Sequence, residues 1–73
     1  MLRELITLTD TNVGETIKKL RLDRGFTLNQ LGAMTRLSPS VISKYERSKR
    51  VPTLSSFMAL MRALDAEIFF AKR

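Results

Sequence analysis

Apolar side chains recur along this chain with a helical period, and the recurrence is broken where helices start and stop. Val13, Ile17, Leu20 and, at the end of the row, Arg24 stack on one face of a helix running to about Arg24, the pattern of an amphipathic surface helix. Asn12 with Glu15 three residues on has the form of a capping box, Asn replacing the usual Ser or Thr. Gly25 is placed to stop the helix in a left-handed conformation. A second, short helix follows at once: Thr27 is its N-cap, and Leu28, Leu31 and Met34 share an apolar face. Gly32 inside it costs on the order of 1 kcal/mol relative to alanine, which suggests close approach by a neighbour. Arg36-Leu37 forms a turn.

Ser38-Pro39 is the clearest start signal in the chain. Serine caps, and proline suits the first helical position because its missing N–H has no partner there in any case. From that start Val41, Ile42 and Tyr45 face inward, and Ser40, Ser43, Lys44 and Arg47 face outward; the helix is expected to end near Ser48. Val51-Pro52-Thr53 punctuates again, with Thr53 as N-cap. Leu54, Phe57, Met58, Met61 and Leu64 then recur at i, i+3, i+4, i+7 and i+10, a strong helical stripe assigned to the core. Residues 66–71, with Ile68, Phe69 and Phe70, are dense in strand formers and read as a strand. Residues 2–9 fit a short strand or a first helical turn equally. The expected fold is mainly α: a compact helix-turn-helix domain of four to five helices with a short C-terminal β-strand.

Seventy-three residues suit one domain, residues 1–73 with a core over 13–65. A core this small leaves a thin stability margin. Without cysteines neither a disulfide nor a thiolate zinc site adds to it, so oligomerisation is the obvious support. The 44% hydrophobic content belongs to a folded domain rather than a basic tail. Thirteen Lys and Arg against seven Asp and Glu give +6, and such a surplus on a small body attracts polyanions, nucleic acid above all. No apolar run approaches the ~20 residues of a membrane span, no secretory signal is indicated, and cytoplasm is the default location. An enzyme is not expected: there is no histidine or cysteine, no glycine-rich phosphate loop, and the carboxylates are scattered. No cofactor or metal is called for.

Two short helices joined by a tight turn, the second exposing small polar and basic side chains, meet the requirements of major-groove reading. The base-reading candidates are Ser38, Pro39, Ser40, Ser43 and Lys44. Lysine donates to guanine O6 and N7, serine serves any base modestly, and proline makes only apolar contact, for instance with a thymine methyl. Thr27, Asn29, Arg36, Arg47, Lys49 and Arg50 are the phosphate candidates. Arg36, Lys44, Arg47, Lys49 and Arg50 place five positive charges in fifteen residues, opposed only by Glu46.

Residues 17–65, about two thirds of the chain, resemble the phage-repressor (Cro-like, XRE) helix-turn-helix family. The matches are IKKLRLDRGFTLNQLGAMT, then LSPSVISKYERSKRVPTL, then FMALMRALD. In that family the arginine of the first helix commonly pairs with the glutamate ending the third, and Arg21 and Glu46 occupy those places, which implies a structural ion pair. Two departures matter. Leu28 stands where members often carry a backbone-contacting glutamine, and Pro39 where many carry a glutamine that opens the reading helix. Specificity then rests on Ser40, Ser43 and Lys44, or on DNA shape.

A small reading head implies a homodimer on a palindromic operator with half-sites about one helical turn apart. The terminal strand of Ile68, Phe69 and Phe70 is the expected means, because an exposed edge invites pairing with a second chain; pairing of residues 3–8 with 67–71 within one chain is the alternative. A helix-turn-helix followed by a terminal strand resembles HipB-type antitoxins, which implies an autoregulating repressor with a toxin protein as a second partner. A DNA-only repressor and a helix-turn-helix used purely for protein interaction are the competing functions.

Overall fold

The computed structural model describes residues 12–66, which form four helices: α1 (Val13–Asp23), α2 (Leu28–Thr35), α3 (Pro39–Glu46) and α4 (Leu54–Ala63). Three starts follow from local chemistry. Thr27 Oγ1 accepts from Gln30 N at 3.1 Å while Gln30 Oε1 accepts from Thr27 N at 2.8 Å, a complete capping box. Ser38 Oγ accepts from Val41 N at 3.0 Å, with Pro39 next, and Thr53 Oγ1 accepts from Ser56 N at 3.1 Å. The box expected at Asn12 does not form. Its backbone, at φ −115° and ψ 3°, lies outside the extended region, and its side chain makes no capping bond.

Three of the four helix ends share one device. After α1, Gly25 N donates to Leu22 O and Phe26 N to Arg21 O, the paired bonds of a Schellman motif, with Gly25 at φ 73°. The same pair closes α3 through Ser48 and Lys49, and α4 through Asp65 and Ala66. Ser48 (φ 58°) and Asp65 (φ 54°) adopt the left-handed conformation without being glycine. The left-handed Ser48 follows the cap at Arg47, so α3 ends at Glu46, two residues before the expected Ser48.

Helix α3 packs on both α1 and α2, and α2 also packs on α4. Ile17, Leu31, Ile42, Tyr45, Leu60, Met61 and Leu64 form the core between them. Two expected apolar faces are corrected. Met34 is 50% exposed, because the buried face of α2 is centred on Leu31 and Gly32. On α4 the inward stripe is Phe57, Leu60, Met61 and Leu64; Leu54, 74% exposed, and Met58 lie on its shoulder.

Close backbone approach explains two glycines. A Cβ on Gly32 would lie 2.7 Å from Leu37 O and 3.3 Å from Pro39 Cδ, so the turn and the first residue of α3 sit directly on α2. A Cβ on Gly14 would collide with the carbonyl oxygen of Tyr45, which lets the start of α1 rest on the end of α3. The strand expected over residues 66–71 lies outside the described residues, apart from Ala66, which is not in a strand.

Candidate nucleic-acid interface

The geometry of α3 separates two sets of side chains. Ile42, Tyr45 and Glu46 are buried, while Ser40, Lys44 and Arg47, at i, i+4 and i+7, are exposed with Ser43 half-buried beside them. An eight-residue helix that satisfies the core with one face keeps the other as a continuous polar and basic row. Ser38 Oγ is the N-cap acceptor, and its own O–H remains as a donor. Arg47 caps the helix, its Nε donating to Ser43 O at 3.4 Å.

Glu46 is the one acid in the basic stretch, and it is turned away from the exposed row. It accepts from Arg21 Nε at 2.7 Å and from Arg21 Nη2 at 3.0 Å, a two-point bond. The side chains are 11% and 5% exposed for Arg21 and Glu46 respectively. Arg21 Nη1 also donates to Phe26 O at 2.9 Å, so one guanidinium joins α1, the α1–α2 loop and the end of α3. The bond from Glu46 pushes the Arg21 guanidinium above its ordinary pKa against the opposing effect of burial, and it is charged at every pH at which proteins fold. With Glu46 paired in this way, the exposed charges from Arg36 to Arg50 are all positive.

The remaining cations surround that row. Arg36 occupies the turn between α2 and α3 in a left-handed conformation, φ 61° and ψ 22°, uncommon for a long side chain. Thr35 steadies the turn: its hydroxyl donates to Leu31 O at 2.8 Å and accepts from Leu37 N at 3.3 Å. Lys49 and Arg50 are exposed after α3. Arg36, Lys44, Lys49 and Arg50 form no ion pair among the described residues, which leaves their charge available to a polyanion. Thr27, Asn29, Pro39, Ser40 and Ser43 are brought together along one open groove between the end of α1 and the starts of α2 and α3. Arg21 also lines it, whereas Arg36, Lys44, Arg47, Lys49 and Arg50 lie outside its lining. Ile68, Phe69 and Phe70 lie outside the described residues.

Sequence reading missed the role of Arg24. Its Nε donates to Leu64 O at 2.7 Å, placing a cation on the C-terminal carbonyls of α4 and tying α1 to α4. Its place in the inward row of α1 was the available signal. The apolar wall of the groove, Leu22 and Phe26 with Leu28, was also missed. It becomes visible only when the loop after α1 is folded against α3.

Among the described residues no helix is long and apolar enough to cross a membrane, and no cluster of three or more potential metal-ligating side chains occurs.

A helix-turn-helix with a solvent-facing basic second helix defines the class, a DNA-binding transcription regulator. Residues 17–69 match the helix-turn-helix family model HTH_3, and the chain belongs to this XRE-type helix-turn-helix family. Among solved structures it is similar to the restriction-modification controller protein C.Esp1396I, at 31% identity and TM-score 0.75 over 85% of this chain and 80% of that one. The clp gene regulator ClgR of Corynebacterium glutamicum is 27% identical, with TM-score 0.75 over 85% and 80% of the two chains. A chain of the HipA-HipB-O2-O3 complex shares the fold at 19% identity, with TM-score 0.80 over 94% and 97%. No curated protein matches the sequence.

Proposed function

We propose that the chain is a dimeric, sequence-specific repressor that inserts α3 into the major groove of a palindromic operator. One observation carries this reading: α3 spends Ile42, Tyr45 and Glu46 on the core and leaves Ser40, Lys44 and Arg47 exposed beside unpaired Lys49 and Arg50. In this reading Ser40, Ser43 and Lys44 read base edges, with Pro39 and the Ser38 hydroxyl at the leading end. Thr27, Asn29, Arg36, Arg47, Lys49 and Arg50 hold phosphates, and Arg21–Glu46 keeps α3 at its angle. C.Esp1396I is a restriction-modification controller and ClgR a gene regulator, which supports a regulatory role. The test is selection from a random DNA pool with the 73-residue chain. A two-fold symmetric sequence with half-sites about 34 Å apart supports the proposal; recovery of no preferred sequence rejects it.

Base reading and phosphate holding separate by mutation. Lys44→Ala is expected to weaken operator binding by ~1–3 kcal/mol and relax base preference at one position. Arg50→Ala is expected to weaken all sequences alike and reduce the salt slope by about one counterion. Fluorescence anisotropy on operator and scrambled duplexes across a salt series checks both. Equal effects of the two variants on scrambled DNA would remove Lys44 from the reading set.

The dimer is assigned to the terminal segment of Ile68, Phe69 and Phe70. Phe69→Asp is expected to convert it to monomers in sedimentation equilibrium, and a variant that stays dimeric places the contact elsewhere. An antitoxin role adds a toxin protein as second partner. A toxin reading frame beside the gene distinguishes that role from DNA-only repression.

A further inference from the structure

We infer that the groove at the leading end of α3 is a site for the 5-methyl group of a pyrimidine in the major groove, with Leu28 and Pro39 as its apolar floor; the inference rests on the DNA-reading role proposed for α3. Leu28 and Pro39 come from different helices yet line the same open groove, with Ser40 and Ser43 on its α3 side. The close packing at Gly32 makes the juxtaposition rigid. The Pro39 ring lies where a Cβ on Gly32 would touch it at 3.3 Å, and Leu28 is one helical turn before Gly32 on α2. Both residues are only half-buried, so carbon is presented to solvent beside the hydroxyl groups of Ser40 and Ser43.

That combination matches one base edge better than the others. Thymine alone among the four standard bases shows a methyl group in the major groove, next to the O4 acceptor. The apolar floor takes the methyl and a serine hydroxyl donates to O4. Neither proline nor leucine can donate or accept a side-chain hydrogen bond, so this end of the helix discriminates by methyl burial rather than by amide pairing. A 5-methylcytosine carries the same methyl beside an N4 donor, to which a serine hydroxyl is an acceptor.

The test uses the 73-residue chain and the operator recovered from the random pool. Each thymine of one half-site is replaced in turn by deoxyuridine, which deletes the methyl and leaves every hydrogen-bonding group in place. A second arm replaces each cytosine by 5-methylcytosine. At one or two thymines the affinity is expected to fall about fourfold, the factor that burial of one methyl-sized group gives. In Pro39→Ala and Leu28→Ala that ratio is expected to shrink toward one. Pro39→Ala keeps the test readable if Leu28→Ala loosens the fold, which a thermal melt reports. A gain confined to 5-methylcytosine supports the site and assigns it to the modified base. Affinity indifferent to every methyl, with a selected operator in hand, overturns the methyl site and leaves the regulator reading standing. A ratio that survives in both variants also overturns it. Failure to select any operator overturns both.

Discussion

Arg21→Ala is expected to lower the unfolding free energy by about 3–5 kcal/mol, the cost of stranding a buried charge whose partner has been removed. Glu46, with its side chain 5% exposed, would lose both of its bonds to Arg21, and Phe26 O would lose a donor. Marginal stabilities of ~0.05–0.15 kcal/mol per residue put a chain of 73 residues near 4–11 kcal/mol, so the loss removes a large share. Glu46→Ala is expected to cost less, because Arg21 is the more exposed partner and keeps its bond to Phe26 O. The double variant Arg21→Met with Glu46→Leu distinguishes a net stabilising pair from a mutually dependent one. Replacing a buried ion pair with packed apolar residues is often neutral or better, so the double variant should recover most of the loss. Urea titrations of the wild type, Arg21→Met, Glu46→Leu and the double variant close a cycle that gives the coupling energy directly. Additive losses would show that the two side chains act independently, contrary to their two-point bond.

Leu60→Ala is expected to cost about 2–5 kcal/mol, whereas Leu54→Ala, six residues earlier on the same helix, should stay within ~0.5 kcal/mol. Leu60 is fully buried and Leu54 is 74% exposed. A truncation at Leu60 leaves a cavity beside Met61 and Leu64 in the core, and a truncation at Leu54 removes carbon already in water. Thermal or urea unfolding of the two variants compares them under identical conditions. Similar losses at both positions would mean that something covers the shoulder of α4 in solution, and the expected difference would then reappear only on dilution.

This pair also marks the boundary of what the pattern along the chain can decide. Helix α4 is so rich in Leu, Met and Phe that two overlapping stripes both have helical spacing: one through Leu54, Phe57, Met58 and Met61, and one through Phe57, Leu60, Met61 and Leu64. Periodicity selects a helix and leaves a rotation of a few tens of degrees open. The rotation is set by what α4 packs against, the face of α2 centred on Leu31. The same ambiguity holds on eight-residue α2, where the spacing of Leu28, Leu31 and Met34 leaves the inward direction open.

Local chemistry was legible. Thr27, Ser38-Pro39 and Thr53 start helices because each cap is made within three residues of itself, and Gly25 stops α1 because only glycine takes φ 73° without cost. The exposed row on α3 was legible too, since one face of a helix is determined once the apolar face is. What depended on other parts of the fold was not. Ser48 and Asp65 end helices in a conformation their residue types do not announce. Gly14 is required by a carbonyl thirty-one residues away, and Arg24 spends its charge on the last carbonyls of α4. The sequence by itself therefore determined the helices, three of their starts, the family and the polar, basic face of α3, because each of these depends on contacts within a few residues or on a quoted motif. Only the tertiary structure decided which stripe is core, how Arg21 and Glu46 engage, and that Leu28 and Pro39 share one groove. Those depend on where distant segments come to rest against one another.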